Sequence, residues 1–295
     1  MRTISAKTIL SGYADSGWFG ASYNMNLYKG CCHGCIYCDS RSACYRVENF
    51  DEVRAKRDAL SILERELRSR RRAGIVHTGA MSDPYNPFEE GERLTQGALR
   101  LLDRYGFGVV LATKSPLVVR DADLLACIRS HSPAAVNVTI TTADDGLSRR
   151  IERHVPPASA RLDAIRRLSE AGIPCGVLLM PVLPFLTDAP ENVEAVVRQA
   201  ARAGARWVFP GYCFGVTLRQ NQREYFYERL DEEFPGLRER YSRTFGDRYV
   251  CRSPQARALG TIFRRACREE GLVYRMEDIT ARIREGYEAE QLRLF

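Results

Sequence analysis

Three cysteines near the start of the chain have the spacing of an iron–sulfur site. Cys31, Cys35 and Cys38 follow the pattern C-x3-C-x2-C, and an aromatic residue, Tyr37, stands just before the last of them. A [4Fe–4S] cube normally takes four cysteine ligands, so three thiolates would leave one iron open. An iron with an open position can bind and reduce a small molecule, and this loop therefore predicts redox chemistry at a cluster.

A zinc site is the alternative interpretation of the same loop. Zinc sites usually combine two C-x2-C pairs, or one such pair with two histidines, and the sequence has no such pair outside this loop. Cys32 and His33 could still supply zinc ligands locally. A zinc-stabilised module that binds nucleic acid without catalysis therefore stays open beside the iron–sulfur interpretation.

The elements that must position this loop alternate along the chain. Apolar runs predict strands at 22–27, 74–78, 108–113, 136–141, 175–180 and 207–210, and amphipathic patterns predict helices at 50–72, 94–105, 122–130, 158–171 and 192–203. Strands that alternate with helices at this interval form parallel βαβ units. Six such units predict an α/β fold, a partial (β/α)6 TIM barrel, in which the carboxyl ends of the strands carry the chemistry.

The region after the last predicted strand has a different character. Residues 211–288 predict mainly helices, at 221–233, 237–244, 253–270 and 276–288. No low-complexity linker separates this region from the barrel, so we expect a C-terminal extension that packs on the barrel. We further expect residues 1–21 to form an irregular segment, residues 22–210 the barrel and residues 289–295 a flexible tail.

Composition limits the class of protein. With 295 residues, of which 45% are hydrophobic, the chain can bury one large core. Ten cysteines without an apolar signal region favour free thiols and metal over disulfides. Because no run of about eighteen apolar residues occurs, the sequence predicts a soluble, cytoplasmic protein without a membrane partner. The net charge of +7 permits a polyanionic partner but favours nucleic acid only weakly.

The cysteine loop resembles the signature of the radical S-adenosylmethionine (SAM) superfamily, which is C-x3-C-x-aromatic-C. Four segments narrow the resemblance to the spore photoproduct lyase group of that superfamily, often described as DNA repair photolyase-like. They read NLYKGC at 26–31, SDPY at 82–85, TKS at 113–115 with RD at 120–121, and AGIP at 171–174. The similarity lies in their order and spacing, and it implies a partial barrel of the radical SAM type.

The resemblance also implies a reaction and its cofactors. In this superfamily the open iron of a [4Fe–4S] cluster binds the amino and carboxylate groups of S-adenosyl-L-methionine. An electron, supplied by a donor such as flavodoxin or ferredoxin, cleaves SAM to methionine and a 5′-deoxyadenosyl radical that abstracts hydrogen from the substrate. A member of the lyase group would act on damaged or modified DNA. RNA, a peptide or a small molecule are the alternative substrates.

Residues at the ends of the predicted strands match the SAM pocket of the lyase group. Ser82 and Lys114 stand where a serine and a lysine hold the carboxylate of SAM. A cationic lysine suits a carboxylate electrostatically, although a surface lysine and an ordinary Ser-Asp-Pro turn are the alternatives. Thr141 and Thr142, at the end of the fourth strand, would reach the ribose or the methionine part of SAM.

Four further residues complete the expected pocket. Glu152 and Arg161 fall where the family has polar residues of the SAM site, and a structural ion pair is the alternative. Tyr37, beside the last cysteine, would lie near the adenine of SAM. Val182 belongs to the segment 181–188, which resembles the loop that covers adenine in relatives and would offer an apolar contact.

One position departs from the lyase pattern. The lyase has a cysteine just ahead of its Thr-Ser-Asp segment that donates a hydrogen atom to the substrate radical, and Ala80 stands at the matching position here. A substitute donor could be Cys213, beyond the sixth strand, or Tyr85. Cys213 could also be a buried core residue, or form an auxiliary iron–sulfur cluster with Cys251 and Cys267.

The last five residues carry a second resemblance. The segment Gln291–Phe295 reads QLRLF and is similar to the short Q-L-x-L-F peptide by which bacterial repair and replication proteins dock on the DNA polymerase sliding clamp. Its leucines and phenylalanine would enter an apolar groove, while Gln291 would form hydrogen bonds. An apolar terminus that folds back on its own barrel is the alternative. Clamp binding would agree with a DNA substrate.

Overall fold

A sheet runs through the centre of the fold, and helices cover it. The computed structural model describes residues 1–13 and 18–287. Its strands are β1 (Arg2–Ile4), β2 (Leu10–Gly12), β3 (Tyr23–Met25), β4 (Tyr28–Lys29), β5 (Arg54–Lys56), β6 (Ile75–Thr78), β7 (Gly108–Thr113), β8 (Ala134–Thr139), β9 (Cys175–Leu178), β10 (Trp207–Phe209), β11 (Gly215–Thr217) and β12 (Val250–Arg252). Its helices are α1 (Ala59–Arg68), α2 (Glu89–Glu92), α3 (Leu94–Arg104), α4 (Ala122–Arg129), α5 (Asp145–Ile151), α6 (Ala158–Glu170), α7 (Pro190–Arg202), α8 (Gln222–Glu233), α9 (Leu237–Phe245), α10 (Ala256–Glu269) and α11 (Met276–Arg284).

The strand order of the central sheet is β10-β9-β8-β7-β6-β3-β2. Neighbours from β10 to β3 run parallel, and β2 pairs with β3 in antiparallel orientation at the edge. Parallel strands that are covered on both faces are buried along their whole length, and every residue of β8 and β9 is buried. This arrangement confirms the predicted α/β fold, a partial (β/α)6 barrel.

The two faces of the sheet carry different parts of the core. Alternate residues of a strand point to opposite faces. Val76, Val109 and Val136 point outward and pack in the large core cluster beneath the helices. Ile75 and Val110 point to the concave face and pack in a second cluster inside the barrel. The carboxyl ends of the strands therefore open onto one common edge, where the cysteine loop lies.

The amino end of the barrel is closed by α11. Ile279 and Ile283 belong to the same buried cluster as Trp207 and the other concave-face residues. Beyond α11, the hydroxyl of Tyr287 donates to the backbone carbonyl of Arg129 at the end of α4. Because α4 leads into β8, the last described residue lies at the amino end of the sheet, opposite the cysteine loop.

The predicted helix at 50–72 is wrong in its first part. Helix α1 begins at Ala59, and Arg54–Lys56 form β5 instead. β5 lies between β1 and β4 in a separate three-stranded sheet, so pairing with distant backbone overrides the local helical pattern. The residues expected to be irregular at 1–21 also differ, because they include β1 and β2.

The C-terminal extension is mainly helical, as predicted, although the antiparallel pair of β11 and β12 was not expected. The side-chain amide of Gln222, at the start of α8, donates to the carbonyl of Tyr37 at 3.0 Å. The hydroxyl of Tyr241 on α9 donates to the carbonyl of Pro184 at 2.8 Å. The extension thus contacts both the cysteine loop and the loop after β9. Its limits as a domain stay a prediction.

Helix length and polarity bear on the predicted absence of a membrane partner. Among residues 1–13 and 18–287, no helix combines the length and the apolar character that a bilayer crossing requires.

Candidate functional site

The cysteine loop lies beyond the carboxyl end of β3 and docks on the segment that follows α5. Cys35 forms an antiparallel bridge with Glu152, and the backbone amide of His154 donates to the carbonyl of His33 at 3.0 Å. Together with the hydrogen bond from Gln222, these contacts hold the loop from two sides. The backbone that carries the thiols is therefore fixed by segments far away in the sequence.

The three predicted ligands lie together as free thiols. Cys35 is buried, and Cys31 and Cys38 are partly buried. Burial raises the pKa of Cys35 well above its usual value and raises the pKa of Cys38 to about 11. Burial acts the same way on Cys31, but the hydrogen bond and charge of His33 outweigh it and lower the Cys31 pKa. Each thiol is close enough to the others for their charges to interact.

The three cysteine thiols can be compared with the ligands that a [4Fe–4S] cluster needs. Where the structure describes the chain, no three His, Cys, Asp or Glu side chains converge as the ligands of a single metal ion would. A four-iron cube is larger than one ion, and its cysteine ligands are spread correspondingly further apart. The three thiols form no disulfide, they lie on one fixed loop and they have a cation beside them. They therefore fit such a cube.

Lys114 lies beside the thiols, at the end of β7. It forms no ion pair with a described residue, and its Nζ lies 5.8 Å from the centroid of the Tyr37 ring. Burial lowers the pKa of Lys114, but the negative charges of Cys35, Glu152 and Asp83 outweigh burial, so the pKa lies above its usual value. The ammonium group is therefore charged and available to an incoming carboxylate.

Asp83 connects three parts of the site, and sequence reasoning gave it no role. Its carboxylate accepts hydrogen bonds from the Thr113 hydroxyl at 2.6 Å and from the Lys114 amide at 2.7 Å. His33 Nδ1 lies 3.5 Å from the same carboxylate. The only sequence signal was its place in the Ser-Asp-Pro turn after a strand. Ser82 is placed beside it, and its hydroxyl donates to the carbonyl of Gly30 at 2.5 Å, which steadies the cysteine loop.

Glu152 is fully buried and joins the cysteine loop to α6. The hydroxyl of Tyr37 donates to one carboxylate oxygen, and the guanidinium of Arg161 donates to the other. Arg161 also donates to the Thr139 carbonyl and the Ser148 hydroxyl, each at 2.7 Å. Burial raises the pKa of Glu152, but the charge of Arg161 outweighs it and lowers that pKa. Glu152 and Arg161 thus form a buried ion pair, and contact of either residue with SAM stays a prediction.

The two threonines at the end of β8 differ in their surroundings. Thr141 is fully buried, and its hydroxyl has no hydrogen-bond partner among the described residues. Thr142 donates to the side chain of Asn192 at 2.9 Å and accepts from the amide of Asp144 at 3.1 Å, so its hydroxyl is used within the protein. Val182 is fully buried in the loop after β9.

Tyr85 is not brought to the thiols, contrary to its expected role as a hydrogen donor. Its side chain is 1% exposed, and its hydroxyl donates to the carboxylate of Asp121 at 3.1 Å. Asp121 in turn accepts hydrogen bonds from Arg120 and Gln96. The phenol therefore belongs to a separate buried network, and burial with the Asp121 charge raises its pKa well above its usual value.

Cys213 is partly buried just beyond β10, at the edge where the strands end. Cys251 lies on β12 in one core cluster, and Cys267 lies on α10 in another. The structure does not bring the three together, and the alternative of an auxiliary cluster has no ligand set within the described residues. Cys213 and Cys251 are close enough for their charges to interact, and a role of Cys213 as hydrogen donor stays a prediction.

A family model described as the radical SAM superfamily matches residues 25–200. A curated relative, an uncharacterized protein of Mycobacterium tuberculosis (strain ATCC 25618 / H37Rv), is 32% identical over 245 residues, which span 81% of this chain and 71% of the relative. Another, an uncharacterized protein of Methanocaldococcus jannaschii, is 29% identical over 218 residues, which span 73% of this chain and 78% of the relative.

Solved structures of spore photoproduct lyase are similar in fold. The lyase complexed with dinucleoside spore photoproduct has a TM-score of 0.61 and 17% identity, with 90% of this chain and 78% of that chain covered. A single-site mutant of the lyase has a TM-score of 0.62 and 16% identity, with 92% of this chain and 81% of that chain covered. At these identities the likeness establishes the fold, a partial barrel with the same arrangement along most of the chain.

Proposed function

Because the chain belongs to the radical SAM superfamily, we propose that it is an enzyme that cleaves S-adenosyl-L-methionine reductively and repairs damaged or modified DNA. The observation that carries the proposal is the meeting of three free thiols with the unpaired ammonium of Lys114 at the carboxyl edge of the barrel. Cys31, Cys35 and Cys38 would hold a [4Fe–4S] cluster, and Lys114 would face the carboxylate of SAM.

When bound, the cluster and SAM supply a carbon-centred 5′-deoxyadenosyl radical, using an electron from a donor such as flavodoxin or ferredoxin. The residues of this chain orient the cofactors and exclude water. Lys114 offers its charge to the SAM carboxylate, and Thr141 offers an unused hydroxyl. Glu152, held by Arg161, fixes the ring of Tyr37 through the tyrosine hydroxyl. Val182 supplies an apolar wall on the side of the loop after β9.

DNA is the proposed substrate because cations and aromatic side chains are exposed where the strands end. Arg240 and Arg243 are exposed on α9, and the guanidinium of Arg240 lies 3.8 Å from the centroid of the Phe185 ring. The hydrogen bond from Tyr241 holds this helix on the loop after β9. Tyr212, just past β10, is 79% exposed. Arginines contact phosphates and aromatic rings stack on bases. The solved lyase complex contains a dinucleoside lesion, and we carry that substrate class over as part of the proposal.

The proposal is tested by anaerobic reconstitution with iron and sulfide, followed by dithionite and SAM, with and without ultraviolet-irradiated DNA. We expect a brown protein that forms 5′-deoxyadenosine and reverts lesions in the DNA. Cleavage of SAM that DNA does not alter would instead point to RNA, a peptide or a small molecule. A colourless protein that holds zinc and cleaves no SAM would favour the non-catalytic module.

We propose Cys213 as the hydrogen donor that replaces the missing cysteine at Ala80. Cys213→Ala is expected to leave 5′-deoxyadenosine formation within about twofold, because the thiol is not a cluster ligand, and to lower lesion reversal at least about tenfold. Product analysis of irradiated oligonucleotides measures both. Cys127→Ala, which removes an exposed thiol on α4, is the matched control. Undiminished lesion reversal in Cys213→Ala would assign the donor elsewhere.

We also propose that the segment Gln291–Phe295, which lies outside the described residues, docks on the DNA polymerase sliding clamp. A chain that lacks residues 291–295 is expected to cleave SAM as the full chain does but to lose the clamp in a pull-down with purified clamp protein. The full chain with Leu292 and Phe295 replaced by alanine is the control for chain length. Recovery of the clamp by the shortened chain would refute the docking role.

A further inference from the structure

His33 is a buried polar side chain inside the cysteine loop, and no step of the proposed function uses it. It stands between Cys31 and Cys35 in the sequence, and it is 3% exposed. A buried polar group needs hydrogen-bond partners. The two partners of this imidazole ring connect it to the cluster site.

The first partner of the ring is the carboxylate of Asp83. His33 Nδ1 lies 3.5 Å from Asp83 Oδ2. Three donors fix that carboxylate, which are the Thr113 hydroxyl at 2.6 Å, the Lys114 amide at 2.7 Å and the Tyr85 amide at 2.9 Å. The end of β7 and the turn after β6 therefore hold the carboxylate, and the carboxylate holds the ring.

The second partner of the ring is the sulfur of Cys31. The His33 side chain and the backbone amide of Asp83 both form hydrogen bonds with this thiol, and both bonds favour its ionised form. A hydrogen bond that favours a thiolate has the sulfur as its acceptor, so the ring is the donor. Cys38 also accepts a hydrogen bond, but from the backbone amide of Ser40, which a change of side chain would leave in place.

A donor at a ligand sulfur affects how readily a cluster accepts an electron. Hydrogen bonds to the sulfurs are among the factors that set the reduction potential of iron–sulfur clusters. Reduction adds one negative charge, and an N–H group directed at the sulfur stabilises that charge. The effect is larger in a buried site, because a hydrogen bond is electrostatically stronger there than in water. Partners of a metal ligand also fix its orientation.

We propose that His33 is a positioning residue that donates a hydrogen bond to the Cys31 sulfur and raises the reduction potential of the cluster, while Asp83 holds the ring. The inference rests on the proposed function and deepens it, because it names a residue that tunes the cluster. The step concerned is the transfer of one electron from a flavodoxin or ferredoxin type of donor to the cluster. His33 gives up neither an electron nor a proton in that step.

Substitution of His33 separates the hydrogen bond from the packing of the loop. We would follow the reduced cluster by electron paramagnetic resonance during a redox titration of the reconstituted protein without SAM. His33→Leu removes the donor and keeps an apolar side chain in its place. Its midpoint potential should fall by at least about 59 mV, which is a tenfold less favourable reduction for one electron. His33→Gln keeps an N–H donor and should recover at least about half of that shift.

His131→Leu is the matched control for the redox titration. His131 also faces a carboxylate, with Nε2 2.9 Å from Asp103 Oδ1. Each side chain of that pair is 36% exposed, so the pair lies at the surface. The same change of residue there should leave the midpoint potential as it is in the unaltered protein.

A spectroscopic signature keeps the test decisive if His33→Leu fails to hold its cluster. Protein labelled with nitrogen-15 in its histidines would be reduced with dithionite and examined by pulsed electron paramagnetic resonance. The hydrogen bond should give the reduced cluster a resolved nitrogen-15 coupling, which His131→Leu keeps and His33→Gln loses. A merely structural role of His33 predicts no such coupling.

The outcomes separate this inference from the function on which it rests. An unchanged midpoint in a fully iron-loaded His33→Leu, or no nitrogen-15 coupling in the unaltered reduced protein, would overturn the role of His33. SAM cleavage by the same preparations would still uphold the proposed function. An unaltered protein that is colourless after reconstitution and cleaves no SAM would overturn the proposed function instead. Circular dichroism and iron analysis verify that each variant is folded and loaded.

Discussion

Replacing Arg161 by leucine is expected to lower the free energy of unfolding by about 3–5 kcal/mol, because removing one partner of a buried pair leaves the other charge uncompensated. Glu152 is fully buried, and Arg161 is its charged hydrogen-bond partner. The change also removes the donors to the Thr139 carbonyl and the Ser148 hydroxyl. Since Glu152 pairs with the backbone of Cys35, the loss should extend to the cysteine loop.

Anaerobic urea denaturation followed by circular dichroism measures this effect. Arg166→Leu is the matched control, since Arg166 lies on the same helix and pairs with Asp163 and Glu170 at the surface. Exposed ion pairs contribute little to stability, so the control should change the midpoint far less. Equal midpoints for Arg161→Leu and Arg166→Leu would show that the buried pair does not hold the loop.

Cys35→Ala is expected to abolish both the cluster and the cleavage of SAM, which is the largest effect on activity that we predict. Two thiolates, Cys31 and Cys38, cannot hold a cube that leaves only one iron open. Iron and sulfide analysis after reconstitution should show less than about a tenth of the full cluster content. Formation of 5′-deoxyadenosine should fall at least about a thousandfold.

Cys32→Ala is the control for this prediction. Cys32 is adjacent to a ligand and partly buried, but it lies outside the C-x3-C-x2-C spacing. The variant should keep its iron and its activity. A full cluster in Cys35→Ala, or loss of the cluster in Cys32→Ala, would overturn the assignment of the ligands.

The barrel could be predicted from the sequence because its signals are local. Each parallel strand is a short apolar run between helical patterns, and the predicted strand at 108–113 matches Gly108–Thr113 in the structure. The segment at 54–56 could not be predicted, because Arg-Ala-Lys is not a typical strand sequence. It becomes β5 only by pairing with β1, which lies more than forty residues earlier in the chain.

The candidate site likewise has features that a local sequence pattern predicts and features that depend on distant residues. The cysteine spacing is a local signal, and it pointed to three thiols that the structure brings together. The hydrogen-bond partners of buried polar side chains on the strands are not local: Trp207 is 70 residues from Asn137, and Trp18 is 59 residues from His77. A lone His or Asn in an apolar strand carries no sign of such a contact. Tyr85 failed as a predicted donor for the same reason, since Asp121, 36 residues away, occupies its hydroxyl.

The anchoring of Tyr287 at the amino end of the sheet sets the geometry of any tether attached to the tail. Residues 288–295 can span at most about 28 Å when fully extended, measured from the side of the barrel opposite the cysteine loop. If the proposed sliding clamp were held there, it would leave the barrel mouth unobstructed. A clamp on the tail would raise the effective concentration of DNA near the barrel mouth only for DNA that bends around the protein. Such a tether would therefore favour flexible or damaged stretches of DNA over straight duplex.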